Sequence, residues 1–304
     1  MTVCVAAMCG GNSLFGASDR MLTAGDVEFE PVTPKLYSLS NSTVVMIAGE
    51  ASLQIEILQK LFPFVTQRIT ENRSVWVPIG DLANRYHHIY QEIKSSKAEA
   101  RVLAPLGLNL DTFIKRQNEM ASSIVEQLTK EIVNFEMPPI EAIVAGIDDL
   151  GAHIYVANNN EVACRDAIGF AAIGAGYWHA NSQFMFAGHN RLRPIPETLL
   201  LTYAAKKRAE VAPGVGAGTD MFTLGPAPGS YSIIREDVIA GLDKIYKHTT
   251  ARAIRSVKMA DKEVNKYVEG LAKVATPQAQ ETLTAKPTNG KDTGEEITPT
   301  PKPN

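Results

Sequence analysis

Thr2 is the residue whose chemistry depends on where it stands. With Met1 removed, it carries a hydroxyl and a free α-amine on one carbon skeleton. A threonine hydroxyl is a poor nucleophile until a base sits beside it, and its own terminal amine can be that base. Such a nucleophile needs a charge partner for the amine, a carboxylate to hold that partner, and donors for a developing oxyanion. The sequence offers candidates in chain order: Asp19 in Ser18-Asp19-Arg20, Lys35 in Thr33-Pro34-Lys35, and Gly49 between Ala48 and Glu50. Each also has a plainer reading. Thr2 alone is the start of a strand, Asp19 a surface ion pair with Arg20, Lys35 a solvated edge-strand lysine, and Gly49 a cap before a helix.

Other candidates for chemistry are weaker. His87-His88 has no partner at ligand spacing, and adjacent helical residues point about 100° apart. Gly214-Val215-Gly216-Ala217-Gly218 precedes a strand rather than a helix, which excludes a dinucleotide fingerprint. Asp148-Asp149 reads as a turn, and Cys4 and Cys9 as packing residues in or beside a buried strand. No metal or cofactor is expected.

The elements that must position these residues come in blocks. Val3–Met8 is a continuous apolar run suited to a strand buried on both faces. Gly10-Gly11-Asn12-Ser13 is a hairpin turn, and Leu14–Ser18 returns. Tyr37–Ser40 and Thr43–Ala48 form a second pair. Helices are expected over Ala51–Phe62, about 80–98 and 111–135, the last ended by Pro138-Pro139. Strands resume at Glu141–Gly146, His153–Ala157 and Ala167–Ile173. Helices follow at 177–186 and 196–211, then a strand at Asp220–Leu224 and a charged helix over 235–274. The Thr-, Pro-, Lys- and Glu-rich tail 276–304 lacks apolar periodicity and is read as disordered. Segregated blocks of this kind imply an α+β fold with helix layers outside an antiparallel core.

Composition narrows the function classes. The 304 residues are 45% hydrophobic, enough for a sizeable core, and a net charge of −3 gives no reason to expect a nucleic-acid or membrane partner. Three cysteines without a CxxC pattern fit reduced intracellular thiols. The first residues lack the basic and long apolar regions of a secretory signal, and no apolar run is long enough to span a membrane. A cytoplasmic protein is the expectation.

The stretch Thr2…Ala17-Ser18-Asp19-Arg20…Lys35-Leu36-Tyr37…Ile47-Ala48-Gly49-Glu50 resembles the N-terminal half of a proteasome β subunit, an N-terminal-nucleophile hydrolase. The Asp-to-Lys gap of 16 and the Lys-to-Gly gap of 14 match that pattern, and the Thr-to-Asp gap is one residue longer. Ile143–Asp148 and Ala171–Gly176 resemble two further strands of the family. The likeness covers roughly residues 2–60 and 140–225. With Met1 directly before Thr2 and no propeptide, it is closest to the bacterial proteasome-like branch.

The resemblance implies a four-layer αββα sandwich over residues 1–230, with a helical insertion at about 95–138, a helical extension over 231–275 and the tail beyond. It implies a threonine-type endopeptidase. Thr2 Oγ would attack the scissile carbonyl, Lys35 would lower the amine's pKa from its reference of about 7.7–8.0 by like-charge repulsion, Asp19 would hold and orient Lys35, and the Gly49 N–H would face the oxyanion. Leu22, Thr33, Ile47, Ala51 and Ile55 would line the substrate pocket. Implied partners are peptide or unfolded-protein substrates, further copies in a homo-oligomeric ring, and an unknown ATPase regulator. Two departures weaken the supporting shell: Ala175 stands where the family carries a serine, and Gly214 where it carries an aspartate. Thr219 or Asp220 are candidates to replace the latter from a shifted loop. The alternatives are a ring-forming homologue with a degraded site and a small-molecule amidohydrolase on the same fold.

Overall fold

In the computed structural model, residues 2–24, 27–31, 35–72 and 76–274 are described. Contacts divide the chain into two compact units, Met1–Tyr246 and Lys247–Asn304. Strands β1 (Cys4–Cys9), β2 (Ser13–Asp19), β3 (Leu22–Ala24), β4 (Val27–Phe29), β5 (Leu36–Ser40) and β6 (Thr43–Gly49) come first. Helices α1 (Ala51–Asn72), α2 (Ile79–Val102), α3 (Leu110–Arg116) and α4 (Ser122–Val133) follow. Then come β7 (Ile140–Asp148), β8 (Gly151–Asn158), β9 (Val162–Cys164) and β10 (Phe170–Ile173). The chain continues through α5 (Tyr177–Phe186), α6 (Ile195–Ala209), β11 (Thr219–Leu224), β12 (Ser232–Ile233) and α7 (Glu236–Val274), whose residues up to Tyr246 belong to the first unit.

The fold is mixed α and β, with two antiparallel five-stranded sheets ordered β10-β1-β2-β11-β12 and β5-β6-β7-β8-β9. Strand alternation explains why the run at residues 3–8 is apolar throughout. Cys4, Ala6 and Met8 pack with Val44, Met46, Ile143 and Ala145 of the other sheet. Val3, Val5 and Ala7 face the opposite way and pack with Phe184, Leu201, Ala205 and Leu242 of α5, α6 and α7. In the second sheet, Val45, Ile47, Ala142 and Val144 pack with Leu53, Ile57 and Leu61 of α1 and Tyr86 and Ile89 of α2.

Several element boundaries differ from the sequence reading. Helix α1 does not stop at Phe62 but continues to Asn72 with Pro63 inside it. Pro63 is on the exposed side, while Leu58, Leu61 and Val65 bury the other face and sustain the helix across the lost hydrogen bond. The single helix read over 111–135 is two, α3 and α4, because Met120 takes an extended conformation (φ −106°, ψ 157°) after a short 3₁₀ turn. Leu103, Phe113 and Leu128 close a small core of their own across the break. Helix α4 ends at Val133, before Pro138-Pro139. The strand read at Ala167–Ile173 begins at Phe170, since a turn occupies residues 166–169. Strands β3, β4, β9 and β12 were too short to show a period of their own. The tail 276–304 lies outside the described residues. Among the described residues, no helix is long and apolar enough to cross a membrane.

Candidate active site

Three of the residues singled out by type and spacing meet at the start of β1. Asp19 is the last residue of β2 and is fully buried. Its Oδ1 accepts the Thr2 hydroxyl, the Val3 N–H at 2.9 Å and the Lys35 ammonium at 2.9 Å. Its Oδ2 accepts the N–H groups of Met21 and Gly216, each at 3.0 Å. Donors therefore answer both oxygens of a carboxylate removed from water, which offsets the cost of burying it. Asp19 makes no ion pair with its neighbour: Arg20 turns away and binds Asp220 Oδ1 through Nε at 3.0 Å and Nη2 at 2.7 Å. Asp220 is thereby committed to a salt bridge with Arg20.

Lys35 stands immediately before β5 and is 5% exposed. Its Nζ reaches Thr2 Oγ1 at 2.5 Å, Asp19 Oδ1, and the carbonyl oxygen of Met21. Three acceptors match the three N–H donors of an ammonium. The Thr2 hydroxyl thus accepts from a cation and donates to a carboxylate, an arrangement that fixes its oxygen in one position.

Gly49 closes β6 with φ of +98°, two residues before α1 begins rather than at the helix terminus itself. The Ile47 N–H donates to Lys35 O at 3.3 Å and the Glu50 N–H to Pro139 O at 3.3 Å. Strand alternation then aims the Gly49 N–H to the same side as that of Ile47, toward Lys35, where β5 starts only at Leu36. A side chain at residue 49 has no room: an added Cβ would sit 2.3 Å from Pro139 O. The loop is pinned from behind by Gln54 of α1, which is fully buried. Its Nε2 donates to Ala48 O at 2.9 Å and to Glu141 O at 3.0 Å, and its Oε1 accepts the Tyr86 hydroxyl.

Thr2, Lys35 and Gly49 open onto a cavity of about 500 Å³. Leu22, Ile47, Ala51 and Ile55, four of the five residues expected to line a substrate pocket, line this same cavity. Thr33 lies outside the described residues. Tyr37, Pro138 and Pro139 complete a largely apolar wall that the sequence did not point to. A second cavity of about 470 Å³ also reaches Thr2, and it is lined by Glu141, Asn158, Asn159, Asn160 and Ala175. Gly174 lines this cavity beside Thr2, with φ of +83°, and its added Cβ would lie 2.3 Å from Thr2 O. The Gly174 N–H donates to Glu141 Oε2 at 2.8 Å. Ala175 brings no hydroxyl to this side, and Gly214, with φ of +73°, supplies a left-handed turn in place of a side chain.

Cys4 follows the nucleophile candidate closely but is a different kind of group. Burial pushes its thiol well above the ordinary range, only partly offset by the Lys35 charge, and its Sγ faces Ile47 O at 3.5 Å. A thiol so disposed packs rather than reacts. Among the described residues, no group of three or more His, Cys, Asp or Glu side chains is placed to hold a metal ion. No protein-family model matches the chain, and no curated protein matches its sequence.

Proposed function

We propose that this chain is a threonine-type, proteasome-like peptidase built on the four-layer αββα sandwich of N-terminal-nucleophile hydrolases. The observation that carries this reading is the Thr2 hydroxyl, held between the Lys35 ammonium and the Asp19 carboxylate at the mouth of an apolar cavity. The packing of helices on the outer face of each sheet, with a third core between the sheets, supports the layered architecture.

In this mechanism Met1 is removed first. The freed Thr2 amine takes the hydroxyl proton as Oγ1 attacks the scissile carbonyl. The negative charge that develops on the carbonyl oxygen faces the Gly49 N–H. Collapse breaks the C–N bond, the proton passes from the Thr2 ammonium to the departing amine, and an ester to Thr2 remains. Water, deprotonated by the same amine, hydrolyses that ester and restores the hydroxyl. The apolar cavity beside Thr2 accepts a neutral apolar side chain next to the cleaved bond. Peptides or unfolded chains are the substrate class, and the setting is a homo-oligomeric ring in the cytoplasm. Exposed apolar side chains on α5, Trp178 and Phe186 at 69% and 86%, are consistent with burial against another copy.

One observation favours a second reading, a ring-forming homologue of low activity. Ala175 stands beside Thr2 without the hydroxyl that would order the amine and a water. Fluorogenic peptides with an apolar residue before the cut distinguish the two. The peptidase reading expects turnover that Thr2→Ala abolishes. Absence of turnover in a protein that has lost Met1 contradicts it.

A further inference from the structure

Among the described residues, Lys206 is the most deeply buried cation that this mechanism leaves unused. It lies on the inner face of α6, with Thr202 one turn and Thr198 two turns before it, and all three are fully buried. Its Nζ donates to Glu210 Oε1 at 2.6 Å and to the backbone carbonyls of Gly216 and Ala217 at 2.9 and 3.0 Å. Three acceptors take up the three N–H donors that only the ammonium form provides. Burial pulls the Lys206 pKa below its ordinary value, and the hydrogen bond to Glu210 pushes it back up.

The two carbonyls belong to the segment that completes the Asp19 site. The peptide whose carbonyl is Gly216 O is held on one side by Lys206. The N–H of that same residue donates to Asp19 Oδ2. Gly216 has no side chain of its own to hold the segment in place, and the N–H two residues on, that of Gly218, is taken by Glu30 Oε1 at 3.1 Å. An added Cβ at Gly216 would lie 2.1 Å from Glu30 Oε1, so the backbone approaches closely at this point.

We infer that Lys206 is a positioning residue for the nucleophile: by clamping the Gly216 and Ala217 carbonyls it aims the Gly216 N–H at Asp19, and through Asp19 fixes Lys35 and the Thr2 hydroxyl. It touches no substrate. The chain of contacts runs Lys206, Gly216, Asp19, Thr2, with each link a hydrogen bond. A lysine is suited to this place because one ammonium binds two carbonyls and a carboxylate at once while its stem fills apolar space.

The kinetic arm of the test rests on the peptidase reading, and the spectroscopic arm does not. In protein labelled with ¹⁵N-glycine, Lys206→Met is expected to raise the hydrogen-exchange rate of the Gly216 amide at least tenfold while the amides of Gly16 and Gly146 in the sheets keep theirs. In the same variant, the maximal rate of Thr2 acylation by a β-lactone should fall about ten- to a hundredfold, with the half-saturating concentration unchanged. If Lys206→Met does not fold, Lys206→Gln carries the same comparison, with a smaller but still several-fold loss of Gly216 protection. A Gly216 amide as protected in the folded variant as in the wild type overturns the inference. Failure of the wild type to react with the β-lactone counts against the peptidase reading and leaves the exchange result to decide the role of Lys206.

Discussion

The Lys35 ammonium nitrogen lies 2.5 Å from the Thr2 hydroxyl oxygen and 2.9 Å from Asp19 Oδ1. The two side chains that bracket the hydroxyl therefore also form a buried ion pair, with Asp19 fully buried and Lys35 nearly so. Stability and reactivity are linked at this point. Asp19→Ala leaves the ammonium without its counter-charge and strips acceptors from three N–H groups. Breaking a buried pair from one side costs about 3–5 kcal/mol. Urea denaturation of Asp19→Ala should show a loss of that order, whereas Thr2→Ala, which keeps the pair, should change stability by less than about 1.5 kcal/mol.

Gly49 is fixed by geometry on both counts. Its φ of +98° disfavours any L side chain, and the space for a Cβ is taken by the Pro139 carbonyl. Gly49→Ala should cost about 1–3 kcal/mol in chemical denaturation. Under the peptidase reading it should also reduce peptide turnover by at least tenfold, because the Gly49 N–H assigned there to the oxyanion moves with the loop.

The apolar cavity sets substrate preference in this account. Ala51 lines it at the first residue of α1. Ala51→Leu fills part of the space, and kcat/KM for a peptide with a bulky apolar residue should drop about 10–200-fold. A peptide with alanine at that position should be affected far less. Equal losses for both peptides would argue that the cavity does not receive the side chain.

A pH-dependent contribution to stability comes from a second cluster, away from Thr2. His153 of β8 holds Asp166 through Nδ1 at 2.6 Å and Asp148 through Nε2 at 3.1 Å. Asp148 in turn accepts the N–H of Ile79 at the start of α2 and that of Leu150. The hydrogen bond to Asp166 raises the His153 pKa above its ordinary value, with burial opposing and the charges of Asp148 and Asp166 assisting. Asp166 is held below the usual carboxylate value: burial pushes it up, and the bonds from His153 and the Ile154 N–H outweigh that. A raised folded pKa means that the contribution is fully present below the unfolded histidine value of about 6.5 and is lost as pH rises through the folded value. The Tm advantage of wild type over His153→Gln should therefore be largest near pH 5.5–6 and shrink on the alkaline side. A constant difference across that range would contradict the assignment.

The parts of the site that were legible in the sequence are those fixed by local pattern. Asp19 ends a strand whose hairpin is marked by Gly10-Gly11, Lys35 stands just before the strand that starts at Leu36, and Gly49 follows an apolar run, so residue type and local pattern set them in order while the family resemblance tied their spacing to Thr2. The partners they acquire were not legible. Arg20 was the obvious mate for Asp19, yet strand alternation puts adjacent side chains on opposite faces, and Arg20 finds Asp220 across the sheet instead. Gln54, Gly216 and Lys206 act through tertiary contacts made far along the chain. Lys206 had one available signal: it falls on the same helical stripe as Thr198 and Thr202, a charge on the inward face of α6. In the fold, long apolar runs were read well. The break at Met120 and the passage of α1 through Pro63 were not, because packing of Leu128 in one case and Val65 in the other decides what local propensity leaves open.

The central claim is that Thr2 is a terminal nucleophile, and intact mass before and after treatment with an epoxyketone or β-lactone tests it most directly. The account predicts a purified protein lighter by one methionine that gains the mass of a single probe, with the adduct on Thr2 and no adduct in Thr2→Ala. A protein that retains Met1, or one that has lost it and still takes up no probe, would contradict it.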